Sequence, residues 1–188
     1  MSMKVTTAPT VEPCTAAEVK LIARMTATGL DSLIASDYIP AARRACEQRT
    51  QRYLTTQTVT LTLEDWPHGD CIDIPRGPIL SVTSIVYRDT TGSSQTLSSS
   101  WYEFKQVSDS VPPEIALLPG YSWPALGDYE DAVIVTMQAG YGATAAHVPH
   151  DLRMWVMAAA GEMVRTGSLD IPRDFAAGLL DAQSILSA

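Results

Sequence analysis

Residues 73–89 read DIPRGPILSVTSIVYRD, a β unit between helical segments on both sides. It predicts a short strand ending at Pro75, a tight corner at Gly77-Pro78 and a longer strand rich in β-branched residues. Neither proline has a backbone N–H to offer a ladder, so both belong at strand ends or on an exposed edge. Gly77 supplies the backbone freedom of the corner. Along the longer strand Ile79, Val82, Ile85 and Tyr87 are apolar, while Ser81, Thr83, Ser84 and Arg88 are polar. Upstream, Val59, Leu61 and Leu63 alternate with Thr58, Thr60, Thr62 and Glu64, the pattern of a strand with one buried face. Trp66 to Asp70 and Thr91 to Ser94 read as turns. Further strands are predicted at 95–97, 101–107, 114–118 and 133–138, with a long loop at 119–131. Short strands joined by polar turns predict a mostly antiparallel sheet.

Helical signals flank this β region. Thr15 with Glu18 three residues later forms a capping-box pattern, opening a helix toward Met25 that stops near Gly29. Asp31 is placed to cap a second helix toward Tyr53, with Ile34, Tyr38, Ala41 and Ala45 at helical spacing. Pro40 lies inside it, which predicts a kink or a break. Pro149 suits the first position of a helix running to Arg165. Leu152, Trp155, Val156, Ala159 and Met163 make one apolar face of it, and Met154, Met157, Ala158 and Gly161 most of another. A helix apolar nearly all round is buried on more than one side, against its own fold or against a neighbouring subunit. A last helix after Asp170 carries the stripe Phe175, Leu179, Ala182 and Leu186, with Leu180 and Ile185 off it.

The expected class is therefore α+β: an N-terminal helix pair, a central mostly antiparallel β-sheet and C-terminal helices. The expected division is an extended Thr/Pro-rich arm at 1–14, a core domain at 15–166 and a C-terminal helix at 167–188. Within the core, helices occupy 15–53, the β region 55–139 and a further helix 149–165.

The 188 residues are 46 % hydrophobic, enough for a substantial core. Charged residues are 18 %, against about 25 % in average soluble proteins, so surface is either covered by partners or rich in Ser and Thr. The net charge of −8 argues against gripping phosphate backbones, which takes clustered Lys and Arg. Such a chain can still sit beside DNA if its task is to let DNA pass without sticking. Three cysteines, Cys14, Cys46 and Cys71, have no CxxC spacing and fit a reduced compartment. No signal-peptide core is evident, and the apolar run 154–161 is too short to span a bilayer.

No catalytic constellation stands out. His68 with Cys71, and His147 with His150, have loose zinc-like spacing but read better as two unrelated turns. Gly140 to Ala145 mimics the dinucleotide fingerprint GxGxxA, but no following strand completes the βαβ unit it requires. Ser122 sits in a near-match to a nucleophile elbow that lacks its final glycine and its strand–turn–helix setting. Asp128, Glu130 and Asp131 form an acidic knot without a full calcium loop. Trp66, Trp101 and Trp123 lie near turns and strand ends, as core lids or as interface anchors. No catalytic residue, metal ligand or cofactor is assigned.

The order of elements resembles the head–tail connector (adaptor) proteins of tailed bacteriophages, the gp6-like family. The resemblance spans nearly the whole chain and rests on order and spacing. Its pieces are Arg44 to Glu47, Arg52 to Leu54, Gln57 to Leu63 with Trp66-Pro67, Ile74 to Ile79, Val82 to Tyr87 and Asp89 to Gly92. Trp101-Tyr102, Trp123-Pro124, Ala139 to Gly142 and Val148-Pro149 complete the set. The chain departs from the family pattern at Pro40 and late in the C-terminal segment. The resemblance implies a virion structural protein without enzymatic activity, assembled in the bacterial host cytoplasm. Such proteins form a ring, commonly dodecameric, under the portal, extend the DNA channel and receive neck or tail proteins. Double-stranded DNA would pass the lumen without sequence-specific binding, and no membrane is involved. Under this reading Phe175, Leu179, Leu180, Ile185 and Leu186 contact the portal. Arg43, Arg44 and Arg49, with Met154 and Met157, contact adjacent copies. Other readings are a different neck component (a stopper or tail-completion protein), a small cytosolic hydrolase using Ser122 and a histidine, or a zinc-stabilised binding module.

Overall fold

The alternation at 57–63 becomes strand β2 (Gln57–Leu63), whose odd-numbered residues are all buried. The structure, a computed structural model, describes residues 1–26, 29–108 and 111–167. β2 pairs antiparallel along its whole length with β8 (Val133–Ala139) and, on its other side, with β1 (Ser2–Thr7). The opening of the expected arm is thus the edge strand of a sheet. β8 pairs next with β4 (Ile79–Arg88), and β4 with β5 (Ser94–Thr96), giving the order β1-β2-β8-β4-β5. A second sheet, β3-β7-β6, joins β3 (Cys71–Asp73), β7 (Glu114–Leu117) and β6 (Tyr102–Lys105). Every strand pairing among the described residues is antiparallel.

β4 solves a spacing problem. Ile79, Val82 and Ile85 are three apart, whereas a regular strand returns a side chain to the same face every two residues. Two bulges absorb the surplus, one between Ile79 and Ser81 and one between Val82 and Ser84. Each leaves one residue without a partner, so the three apolar residues meet Ala139, Met137 and Val135, which are two apart. The bulged Leu80 is 46 % exposed. The β4–β5 turn is stapled by Asp89, whose carboxylate accepts from the Thr91 and Ser93 amides, the Thr91 hydroxyl and the Gln95 amide. Those donors, the Thr91 hydroxyl foremost, hold its pKa at about 2. The loop after β7 is clasped by two indoles. Trp66 and Trp123 stack at 4.4 Å, Trp66 donating to the Pro124 carbonyl (2.8 Å) and Trp123 to that of Gly69 (2.9 Å).

The helices are α1 (Ala16–Ile22), α2 (Asp31–Leu33), α3 (Ile39–Thr50) and α4 (His150–Thr166). The capping box at Thr15 and Glu18 forms as its sequence pattern predicts. α1 then ends earlier than expected. The Arg24 amide donates to the Leu21 carbonyl and the Met25 amide to that of Lys20, with Arg24 left-handed at φ 53°, a Schellman closure. Between α2 and α3 the chain makes one π turn, Ile34–Tyr38, where the Ile39 amide reaches back to Ile34. The cause is Pro40, whose ring would collide with the carbonyl four residues before it in a regular helix. The wider turn moves the buried face on by one residue. Ile34 is buried as expected, but beyond it Ile39, Ala42 and Cys46 are buried, not the half-buried Tyr38, Ala41 and Ala45.

α4 buries all of the first face read from its sequence and, of the second, Met157 and Gly161, while Met154 and Ala158 are half-buried. A Cβ on Gly161 would stand 3.3 Å from the Ala23 Cβ, so this glycine allows the C-terminal end of α1 to lie close against α4. Two compact units emerge among the described residues: 1–9 with 57–140, containing both sheets, and 10–56 with 141–167, containing the helices. The expected 15–166 core contributes to both. Of the expected C-terminal helix at 167–188, residues 168–188 lie outside the described residues.

Candidate functional site

Arginines read from sequence as surface contacts have unequal environments. Arg43 is 5 % exposed and its guanidinium is engaged inside the chain. It reaches both carboxylate oxygens of Glu12 (2.8 and 3.3 Å) and one of Glu47 (3.1 Å), while the other Glu47 oxygen accepts the Leu54 amide at 3.0 Å. Arg52 is buried too and donates to the Tyr141 hydroxyl at 2.7 Å. This network sews the segment before α1, the body of α3 and the exit from α3 into one piece. Arg43 is thus a structural ion-pair partner, and of the three candidate arginines only Arg44 and Arg49 are exposed. Arg44 donates to the Pro40 carbonyl, and Arg49 lies 5.5 Å over the ring of Trp155. Met157 is buried and Met154 half-buried against the helical core. The five expected portal-contact residues, Phe175, Leu179, Leu180, Ile185 and Leu186, lie outside the described residues.

The chemical candidates do not converge. Among the described residues no group of three or more His, Cys, Asp or Glu is arranged to hold a metal ion. His68 and Cys71 belong to the sheet unit, His147 and His150 to the helical one. Among the described residues no hydrogen bond joins Ser122 to a histidine; His147 instead meets the Thr144 hydroxyl at 2.8 Å. The GxGxxA stretch leaves β8 for a short 3-10 turn, Ala145–His147, in which a Cβ on Gly142 would fall 2.5 Å from the His147 ring. That contact explains the second glycine by packing alone. Asp131 of the acidic knot pairs with Arg88 at 2.9 Å.

The three thiols are free, and two are inert by burial. Desolvation pushes Cys14 and Cys46 up to about 12, Glu18 and Glu47 respectively adding to it. Their folded pKa values lie above the unfolded one, so their contribution to stability is complete below about 9 and is lost as pH climbs toward 12. At pH 8 a thiol reagent should label only the half-exposed Cys71 in the native chain, and all three cysteines in guanidinium. Rapid labelling of Cys14 or Cys46 in the native chain would contradict their burial.

What the surface does offer is apolar. Leu21 is 79 % exposed, Ile22 38 % and Leu33 41 %. In the sheet unit an apolar groove of about 640 Å³ runs beside β3. No helix among the described residues is long and apolar enough to cross a membrane.

No family model matches the chain, and no curated protein does. Solved structures do. A chain from the virion of the native gene transfer agent (GTA) particle superposes with a TM-score of 0.81 at 24 % identity, over 100 % of this chain and 97 % of that one. A chain from the neck of the empty GTA particle, computed with C6 symmetry, gives 0.80 at 23 % over the same shares. One from the neck of the native particle, computed with C12 symmetry, gives 0.73 at 23 %. At this identity the likeness shows a shared fold.

Proposed function

We propose that this chain is a structural neck protein of a tailed phage or phage-like particle. In the finer form of this reading it is a head–tail connector adaptor: a ring under the portal that extends the DNA channel and receives the next neck or tail protein. The observation that carries it is the whole-chain likeness to a GTA virion chain, with neither chain having a large segment that the other lacks. A neck computed with C12 symmetry supports twelve copies. Charge distribution supports passage of DNA. The sheet unit (1–9, 57–140) carries four Lys and Arg against eleven Asp and Glu, a net −7, while the helical unit (10–56, 141–167) carries eight against seven, a net +1. An acidic lining repels the DNA backbone and lets it slide. The protein works by assembly rather than catalysis, in the host cytoplasm and then in the virion neck. The apolar residues Phe175, Leu179, Leu180, Ile185 and Leu186 are the portal-docking residues of this reading, and Arg44 and Arg49 face the adjacent copy.

A chain ending before Asp170 tests the docking. It should keep the circular dichroism and melting profile of the full chain yet fail to join portal-bearing heads to tails. Undiminished joining would contradict the docking role.

A further inference from the structure

We propose that the groove beside β3 is the socket of a head-to-tail contact, filled by the C-terminal end of α1 from a second copy of this chain. The inference rests on the ring reading above. Leu63, Ile72, Ile74 and Pro75 wall the groove, and Asp65, Asp73 and Glu114 supply its carboxylates. Asp73 and Glu114 stand directly opposite each other across the β3–β7 pair, like charges in a register that disfavours them. Neither has an ion-pair partner among the described residues. Lys105 faces Glu114 from β6, but its ammonium is engaged by Glu103 at 2.6 Å. The charged side chains of the groove are carboxylates alone, with Met1 also in its lining, so a matching occupant is apolar and brings a cation.

The end of α1 has that chemistry. Leu21 and Ile22 stand out at 79 % and 38 % exposure, beside the exposed Arg24. Arg24 fills the left-handed C′ position of the Schellman closure, where glycine would be free of strain. An arginine at such a position, its guanidinium without a bonding partner among the described residues, points to a task for its side chain. A guanidinium matches a pair of carboxylates with its fork of donors. The knob is also rigid, since α1 is seated on α4 over Gly161. Knob and socket are different surfaces of one chain, the heterologous pairing that generates rings.

The chain carries its own reporter, because Cys71 lines the groove while Cys14 and Cys46 are buried. The test is Leu21→Cys in the full chain, oxidised with diamide. Diamide takes up the two electrons and two protons released as the introduced thiol of one copy and Cys71 of the next join in a disulfide. Denaturing gels should show a ladder rising past dimer toward the ring number, and Leu21→Cys with Cys71→Ser should abolish it. Circular dichroism controls for folding. In parallel, Asp73→Arg and Arg24→Asp should each weaken assembly in sedimentation, and their combination should recover it. Rings that form without crosslinking would overturn the socket while leaving the ring reading intact. Crosslinks that stop at dimer would overturn the head-to-tail geometry. A chain that remains monomeric at every concentration, uncrosslinked, would overturn both.

Discussion

Replacing Glu47 by alanine should cost about 3–5 kcal/mol of stability, among the largest losses any single change in this chain can cause. Glu47 is 4 % exposed and answers two donors, the Arg43 guanidinium and the Leu54 amide. Removing its carboxylate leaves Arg43 buried with only Glu12 to balance it and strands a backbone N–H. Chemical denaturation of the purified chain measures the loss. Glu47→Gln should cost less, because an amide oxygen still serves Leu54. The double variant Arg43→Ala with Glu47→Ala should lose less than the sum of the singles, by roughly 0.5–3 kcal/mol, since the two side chains share one network. Strict additivity, or a Glu47→Ala loss below about 1 kcal/mol, would show that the network is not what holds the α3 exit.

Trp155→Ala should follow closely, at about 3–5 kcal/mol. The indole is 1 % exposed at the centre of the helical core. Its removal leaves a cavity that two neighbouring helices, tied through Gly161 and the capping-box glutamate, cannot collapse to fill. Arg153 holds Glu18 at 3.1 Å and the Pro13 carbonyl at 2.9 Å, which fixes the start of α1 against α4. The Trp155 ring nitrogen is buried without a hydrogen-bond partner among the described residues. Trp155→Phe removes that stranded donor and keeps most of the apolar ring, so it should cost less than half as much. Melting the three proteins side by side reads the order directly, and equal losses for Phe and Ala would contradict the account.

Elements with one regular period were legible from residues alone. β2 alternates without interruption, and the Thr15–Glu18 capping box carries its own geometry. The departures arise where the backbone inserts a residue. The three-residue spacing of Ile79, Val82 and Ile85 requires two bulges, and Pro40 requires a π turn that shifts the buried stripe from Ala41 and Ala45 to Ala42 and Cys46. Both signals were present in the sequence, one as a wrong period and one as a misplaced proline. The split of the strands into two sheets was not, because pairing between distant strands leaves no local trace. The same holds for Arg43. Its spacing to Glu47 is that of a helical ion pair, but its burial depends on Glu12, thirty-one positions away. The Trp66–Trp123 clasp is equally non-local. The proposed assembly surface was legible only as a surplus of apolar side chains. Exposed Leu21, and an apolar groove carrying three carboxylates, become visible only once the chain is folded.

On the proposed reading this chain acts as one of many identical copies in a particle neck. Electron microscopy of particles carrying the protein with a small tag tests it most directly. A closed ring of tagged density, twelve copies round, is expected between the head vertex and the tail. Tag density elsewhere in the particle, or particles whole and infectious without the protein, would contradict it.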